Sequence, residues 1–168
     1  HIAFLPEEAL QVLSIIYAMS ESCGLAPQCG ANVVFLPKPT GGERPIGVLP
    51  TLYRLWCRAR RPVAQLWERN RHRKFFWDAR DQSSERAVHY QGLRLELARA
   101  RRHHAAGLLT DLAKAYEYID HGQLCHFAQQ HGFPRGILMV RINMYAGPRR
   151  VVSQGMCSTW FQSDGQTI

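Results

Sequence analysis

Asp111 closes an apolar run, and the aromatic Tyr116 follows five residues later in Leu108-Leu109-Thr110-Asp111-Leu112-Ala113-Lys114-Ala115-Tyr116. A carboxylate at the end of a rigid strand can hold a divalent ion against a triphosphate. A bulky aromatic close behind it can floor the sugar. Two-ion nucleotidyl transfer asks for such a strand: carboxylates hold the ions about 4 Å apart, one activating a hydroxyl and the other neutralising phosphate charge. An Asp that ends a strand and opens a turn is common, so Asp111 gains meaning only from its surroundings.

Those surroundings must position it. Ala105 to Leu112 is expected as a buried strand. Asp120 is a good N-cap for the following helix, with Gln123 placed as its capping-box partner. Gly132-Phe133-Pro134 stops that helix, and a second runs from Pro134 to Tyr145 until Gly147-Pro148. Arg149–Ser153 and Ser158–Gln162 are expected to form a hairpin about Gln154-Gly155.

Upstream, Pro6, Glu7 and Glu8 open a helix with Leu10, Leu13, Ile16 and Tyr17 on its apolar face. Gly24 and Pro27 end it. Asn32–Pro37 and Arg44–Leu49 read as a hairpin joined by Pro39-Thr40-Gly41-Gly42-Glu43. Pro37, Pro39 and Pro45 argue for an edge ribbon. Thr51 should cap a helix lined by Leu52, Leu55, Trp56 and Ala59, with Pro62 kinking it or starting another to about Arg69. Ser83 or Ser84 caps a helix to about Arg102, with Val88, Gln91, Leu95 and Ala98 at helical spacing.

The chain has 168 residues and a net charge of +8. Its isoelectric point is near 9.7. That charge suits a polyanion, nucleic acid before an anionic membrane. It is concentrated: Arg54 to Arg102 holds fourteen Lys/Arg against five Asp/Glu, whereas the rest holds seven against eight. Arg58, Arg60, Arg61, Arg71, Arg73 and Lys74 are the candidate phosphate contacts, and Tyr53, Phe75, Phe76 and Trp77 are candidate base-stacking groups. Solvated helix faces and core aromatics are the plain alternatives.

Five cysteines at irregular spacing, with no C-x-x-C pair, point to reduced thiols. His121, His126 and His131 are five apart and scatter around a helix, which argues against zinc. No signal peptide is visible, and no apolar run approaches the roughly 20 residues of a membrane span. The expected location is intracellular, nucleus or cytoplasm. His1 without a Met, and Ile168 within a strand-like stretch, are expected to be cuts in a longer chain.

Asp111-Leu-Ala-Lys-Ala-Tyr116-Glu-Tyr-Ile-Asp-His resembles the first catalytic motif of reverse transcriptases, most closely those of non-LTR retroelements and group II introns. Leu36-Pro-Lys38-Pro-Thr-Gly-Gly-Glu-Arg44-Pro-Ile-Gly-Val-Leu-Pro50 is similar to the fingers segment of the same family. The two occur in the family's order, about 70 residues apart. The resemblance implies that Lys38 and Arg44 clamp the incoming triphosphate and that Leu112 contacts metal through its main chain. It also implies that Tyr116 excludes a ribose 2′-hydroxyl and that Asp111 helps hold Mg²⁺ (or Mn²⁺). Implied partners are an RNA template, a DNA primer and dNTPs, with no membrane. Implied architecture is α+β: a partial right-hand polymerase with a fingers region over 1–104, including the ribbon 32–49, and an incomplete palm over 105–168.

The sequence departs from the family in one respect that governs activity. The Tyr-x-Asp-Asp element is absent, because no Asp-Asp pair occurs. Gln154-Gly155 falls too early to be the family's Gln-Gly motif. These residues alone are therefore expected to be inactive as a polymerase. A catalytically dead nucleic-acid-binding module derived from such an enzyme is the alternative. A basic domain that binds protein is a third reading.

Overall fold

Pro6, extended at φ −65° and ψ 158°, opens helix α1 (Glu7–Cys23), whose first turn carries Glu7 and Glu8 against the helix dipole. Gly24 closes it at φ 69°, a left-handed position that suits glycine. The computed structural model describes residues 4–71, 73, 77, 83–108, 110 and 118–162. The chain divides into two units, His1–Arg61 with Lys114–Ile168, and Pro62–Ala113. Five helices and one four-stranded mixed sheet stand among the described residues, an α+β arrangement.

In the first unit, β1 (Ala31–Pro37) and β2 (Glu43–Val48) form the expected antiparallel hairpin. Gly41 and Gly42, at φ 87° and 79°, make its turn possible. The sheet order is β2-β1-β3-β4, where β3 is Arg149–Ser153 and β4 is Met156–Cys157. β1 is not confined to an edge. Ala31–Val33 pairs in parallel with Arg149–Val151, which makes that end of β1 interior. Pro37, Pro39 and Pro45 lie beyond this pairing, in the two-stranded arm, where no third strand needs their missing N–H.

The β3–β4 hairpin turns at Gln154 (φ 49°) and Gly155 (φ 79°), and two successive left-handed residues match the twist of a tight hairpin. Val152 pairs with Cys157, but Arg149 pairs with Phe161. That register shift puts one extra residue on the outgoing side, a bulge at Ser158–Trp160.

Asp120 caps α4 (His121–Gln130), its Oδ1 accepting from the Gln123 N–H at 2.7 Å. The Phe133 N–H reaches back to the Ala128 carbonyl at 2.8 Å across Gly132, which ends the helix. α5 (Arg135–Ala146) then supplies Ile137, Leu138, Val140 and Met144 to the interior. Ala31, Tyr53, Trp56, Ile137, Val140 and Met144 form the core cluster. Each residue of the size of Val140 or Met144 adds about 1.5–3 kcal/mol by leaving water. Asn143 ties the α1–β1 loop to this core: its Oδ1 accepts from the Ala26 N–H at 3.0 Å.

Helix α2 (Thr51–Arg71) runs without a break through Pro62, where the division between units falls. Pro62 has no N–H to return to the Arg58 carbonyl. In the second unit, Ser83 caps α3 (Ser84–Ala100) by accepting from the Arg86 N–H at 3.2 Å. The helix forms where the spacing of Val88, Gln91, Leu95 and Ala98 places it, but none of its residues is buried, and Val88 is 72% exposed. Val88, Tyr90, Leu93, Leu95 and Leu97 spread its apolar groups around the helix, so no single stripe exists.

The strand expected over 105–112 is not seen in its described part, and Leu109, Asp111 and Leu112 lie outside the described residues. Residues 105–108 and Thr110 carry no strand pairing, and Leu108 is 88% exposed. An apolar run becomes a strand only when neighbours accept its N–H and C=O groups. None of the four strands pairs with its described residues.

Candidate functional site

The ribbon sets two cations side by side. Leu36 pairs with Arg44. Lys38 continues that register, its N–H donating to the Gly42 carbonyl at 3.0 Å. Opposed residues project to one face, as do residues two apart along a strand. Lys38 and Arg44 therefore share a face as diagonal neighbours, roughly 7–8 Å apart between backbones. Both are exposed. Glu43, paired with Pro37, projects to the opposite face. An anion with several phosphate oxygens can be held by this pair, Arg bidentately and Lys as a mobile point charge.

Arg150 stands on the same sheet face at its other end. It pairs with Asn32 in the parallel register, and its Nε donates to the Asn32 Oδ1 at 2.8 Å. Its guanidinium lies 4.7 Å from the Trp160 ring centroid. Gly30, at φ 91°, lets Trp160 approach: a Cβ there would meet the indole at 2.9 Å. The face thus carries cations at both ends, on strands that place Asn32 and Lys38 roughly 20 Å apart. Arg149 belongs to the other face, where burial lowers its pKa and its guanidinium donates to the Tyr145 carbonyl at 3.1 Å.

Helix α2 separates structural from free cations. Tyr53, Trp56, Cys57 and Arg60 follow i, i+3, i+4, i+7 spacing and turn inward. Arg54, Arg58 and Arg61 follow i, i+4, i+7 spacing and are exposed. This second stripe spans about 10 Å at the helical rise and fits a phosphate backbone. Arg60 is placed differently. Its Nε donates to the Glu21 Oε1 in an ion pair, and the same oxygen accepts from the Trp56 indole N–H at 2.8 Å. Arg71 and Arg73, in the second unit, are exposed.

Tyr53 does not stack on a base. It is 1% exposed, packs on Trp56 with ring centroids 5.5 Å apart, and has its phenol pKa raised by burial. Cys57 beside it has its thiol pKa raised, again by burial. Trp77 is half-buried against Tyr90, with centroids 5.7 Å apart.

Asp111, Leu112, Tyr116, Lys74, Phe75 and Phe76 lie outside the described residues. Among the described residues, no three His, Cys, Asp or Glu side chains converge as metal ligands. A two-ion site needs more carboxylates than Asp111 offers, and no Asp-Asp pair stands in the chain. The five cysteines are free thiols.

Sequence reasoning missed Arg54, Arg150, Glu21 and Tyr90. Helical spacing alone was enough to find Arg54. Arg150 needed the parallel pairing, Glu21 needed the α1–α2 contact, and Tyr90 needed the placement of Trp77.

No protein-family model matches the chain, and no curated protein matches it. No helix among the described residues is long and apolar enough to cross a membrane.

Proposed function

We propose that this chain is the fingers and first part of the palm of an RNA-directed DNA polymerase of retroelement type. The observation that carries this reading is the shared face of Lys38 and Arg44 on the ribbon. The resemblance of Asp111 to Tyr116 and of Leu36 to Pro50 supports it, and so does the exposed stripe Arg54, Arg58 and Arg61.

Lys38 and Arg44 bind the triphosphate of an incoming dNTP. Tyr116 excludes a ribose by contact with its 2′-hydroxyl. Asp111, with the main chain at Leu112, contributes to the Mg²⁺ site of the intact enzyme, which needs an Asp-Asp element besides. The exposed arginines grip the backbone of an RNA template and DNA primer without reading sequence. The enzyme works inside the cell, in the nucleus or cytoplasm. These 168 residues alone catalyse no extension.

The alternative, a nucleic-acid-binding module that has lost its chemistry, keeps the basic surfaces and discards the roles of Asp111 and Tyr116. Primer extension by the full reading frame separates the two. Extension that requires Asp111 supports the enzyme, and binding without extension supports the module.

A further inference from the structure

Tyr90, Leu93 and His89 sit on one face of α3, with Glu85 and Arg86 one turn earlier. Trp77 comes to lie beside Tyr90, and these six residues line an open cleft of about 480 Å³. That volume is on the scale of ligand sites, about 300–1,000 Å³. The Trp77 and Tyr90 rings are 5.7 Å apart and tilted 42°, so they form a wedge and not a closed stack. Were Trp77 merely covering an apolar patch, the patch would be dry. Instead Tyr90 stays 51% exposed and Leu93 53%.

The surrounding charge points to an anion-bearing ligand. Arg86 stands in the cleft, and the Arg94 guanidinium lies 5.8 Å from the Tyr90 ring centroid. Glu85 is the only acid among the described lining residues. The unit as a whole, Pro62–Ala113, holds ten Lys/Arg against six Asp/Glu. Exposed aromatic faces with flanking arginines suit unpaired bases on a phosphate backbone, because each base offers a π-face and each linkage a charge. A duplex hides those faces in its own stack.

We infer that the Trp77–Tyr90 cleft holds an unpaired base of single-stranded nucleic acid, with Arg86 and Arg94 meeting its phosphates. The inference rests on the chain being a nucleic-acid binder, and it adds a candidate site formed by second-unit residues, with none of the ribbon cations among them.

The test is binding of the whole chain to two labelled probes at equal salt. One is a 20-nucleotide oligothymidylate, and the other is an abasic strand of the same length. The wild type should prefer the base-bearing strand roughly 10-fold. Tyr90→Ala and Trp77→Ala should each remove most of that preference, and Tyr90→Phe should keep it. Arg86→Ala should weaken both probes alike and reduce the salt slope by about one. Circular dichroism of each variant checks that α3 is intact. Equal affinity of the wild type for both probes overturns the cleft alone. A preference that survives both alanine variants also overturns it. Binding to neither probe at low salt overturns the cleft and the nucleic-acid reading beneath it.

Discussion

Lys38 and Arg44 are diagonal neighbours on one face of the β1–β2 ribbon, fixed there by the pairing of Leu36 with Arg44 and of Lys38 with Gly42. The turn between the strands sets this relation. A change of one residue in turn length would put the two cations on opposite faces.

In the polymerase proposed above, Lys38→Ala and Arg44→Ala should each raise the KM for dNTP. A charge-assisted hydrogen bond contributes about 1.5–3 kcal/mol, so the expected rise is roughly 10- to 100-fold. Arg44→Lys should recover only part of the loss, because the bidentate fork is gone. Glu43→Gln, on the opposite face, should leave KM within about 2-fold, since a surface change away from the contact is nearly neutral. Steady-state kinetics with varied dNTP checks all four.

The arginines of α2 should separate by assay. Arg58→Ala and Arg61→Ala, and Arg54→Ala with them, should each lower the salt slope of nucleic-acid binding by about one and leave thermal stability unchanged. Arg60→Ala should instead leave the salt slope nearly unchanged and cost at most about 1 kcal/mol of stability, because its guanidinium is held by Glu21 in a partly exposed ion pair. Filter binding at several salt concentrations, with melting curves alongside, reads both effects.

Glu21 holds the Trp56 indole N–H and the Arg60 guanidinium together. Trp56 is fully buried, so its donor has no water to turn to. Glu21→Ala should cost about 1–3 kcal/mol for the orphaned indole. The ion pair adds little beyond that, because both side chains are partly exposed to solvent. Glu21→Gln keeps an acceptor for the indole and should be milder. Urea unfolding of the two variants tests this order.

Burial raises the pKa of Tyr17, Tyr53, Tyr145 and Cys57 above their ordinary values. These groups lose a proton on ionising, and the unfolded chain loses it first. The stabilising contribution is therefore whole below about pH 9 and declines as pH rises beyond the unfolded values near 9–10. The melting temperature should fall from pH 9 to 11, and Tyr53→Phe should flatten that fall. The same burial slows alkylation of Cys57 relative to the exposed Cys23, Cys29 and Cys157. A steeper fall in Tyr53→Phe, or faster labelling at Cys57, would contradict this account.

Local chemistry was legible in the sequence wherever its cause was local. Pro6 and Gly24, Ser83, Asp120, and Gly41-Gly42 each act on backbone groups within a few residues, and each stands where its residue type requires. Long-range relations were not legible. Val33 meets Val151 across 118 positions in a parallel pair, and nothing in either segment names the other. The run over 105–112 has the composition of a strand, yet its described residues pair with none, because strand formation depends on partners that composition does not reveal. Tyr53 and Arg60 looked available because their residue types are often exposed, and only the packing of α2 against α1 and α5 turns them inward. Of the candidate site, Lys38 and Arg44 were marked only by the resemblance of Leu36 to Pro50, their shared face needed the register of the ribbon, and the cleft at Tyr90 required the fold.

Primer extension by the full reading frame tests the central claim most directly, with wild type and Asp111→Ala compared on an RNA template with dNTPs and Mg²⁺. The account predicts extension by the wild type that Asp111→Ala abolishes. A folded, full-length wild type that binds the primed template but does not extend it would contradict the polymerase reading.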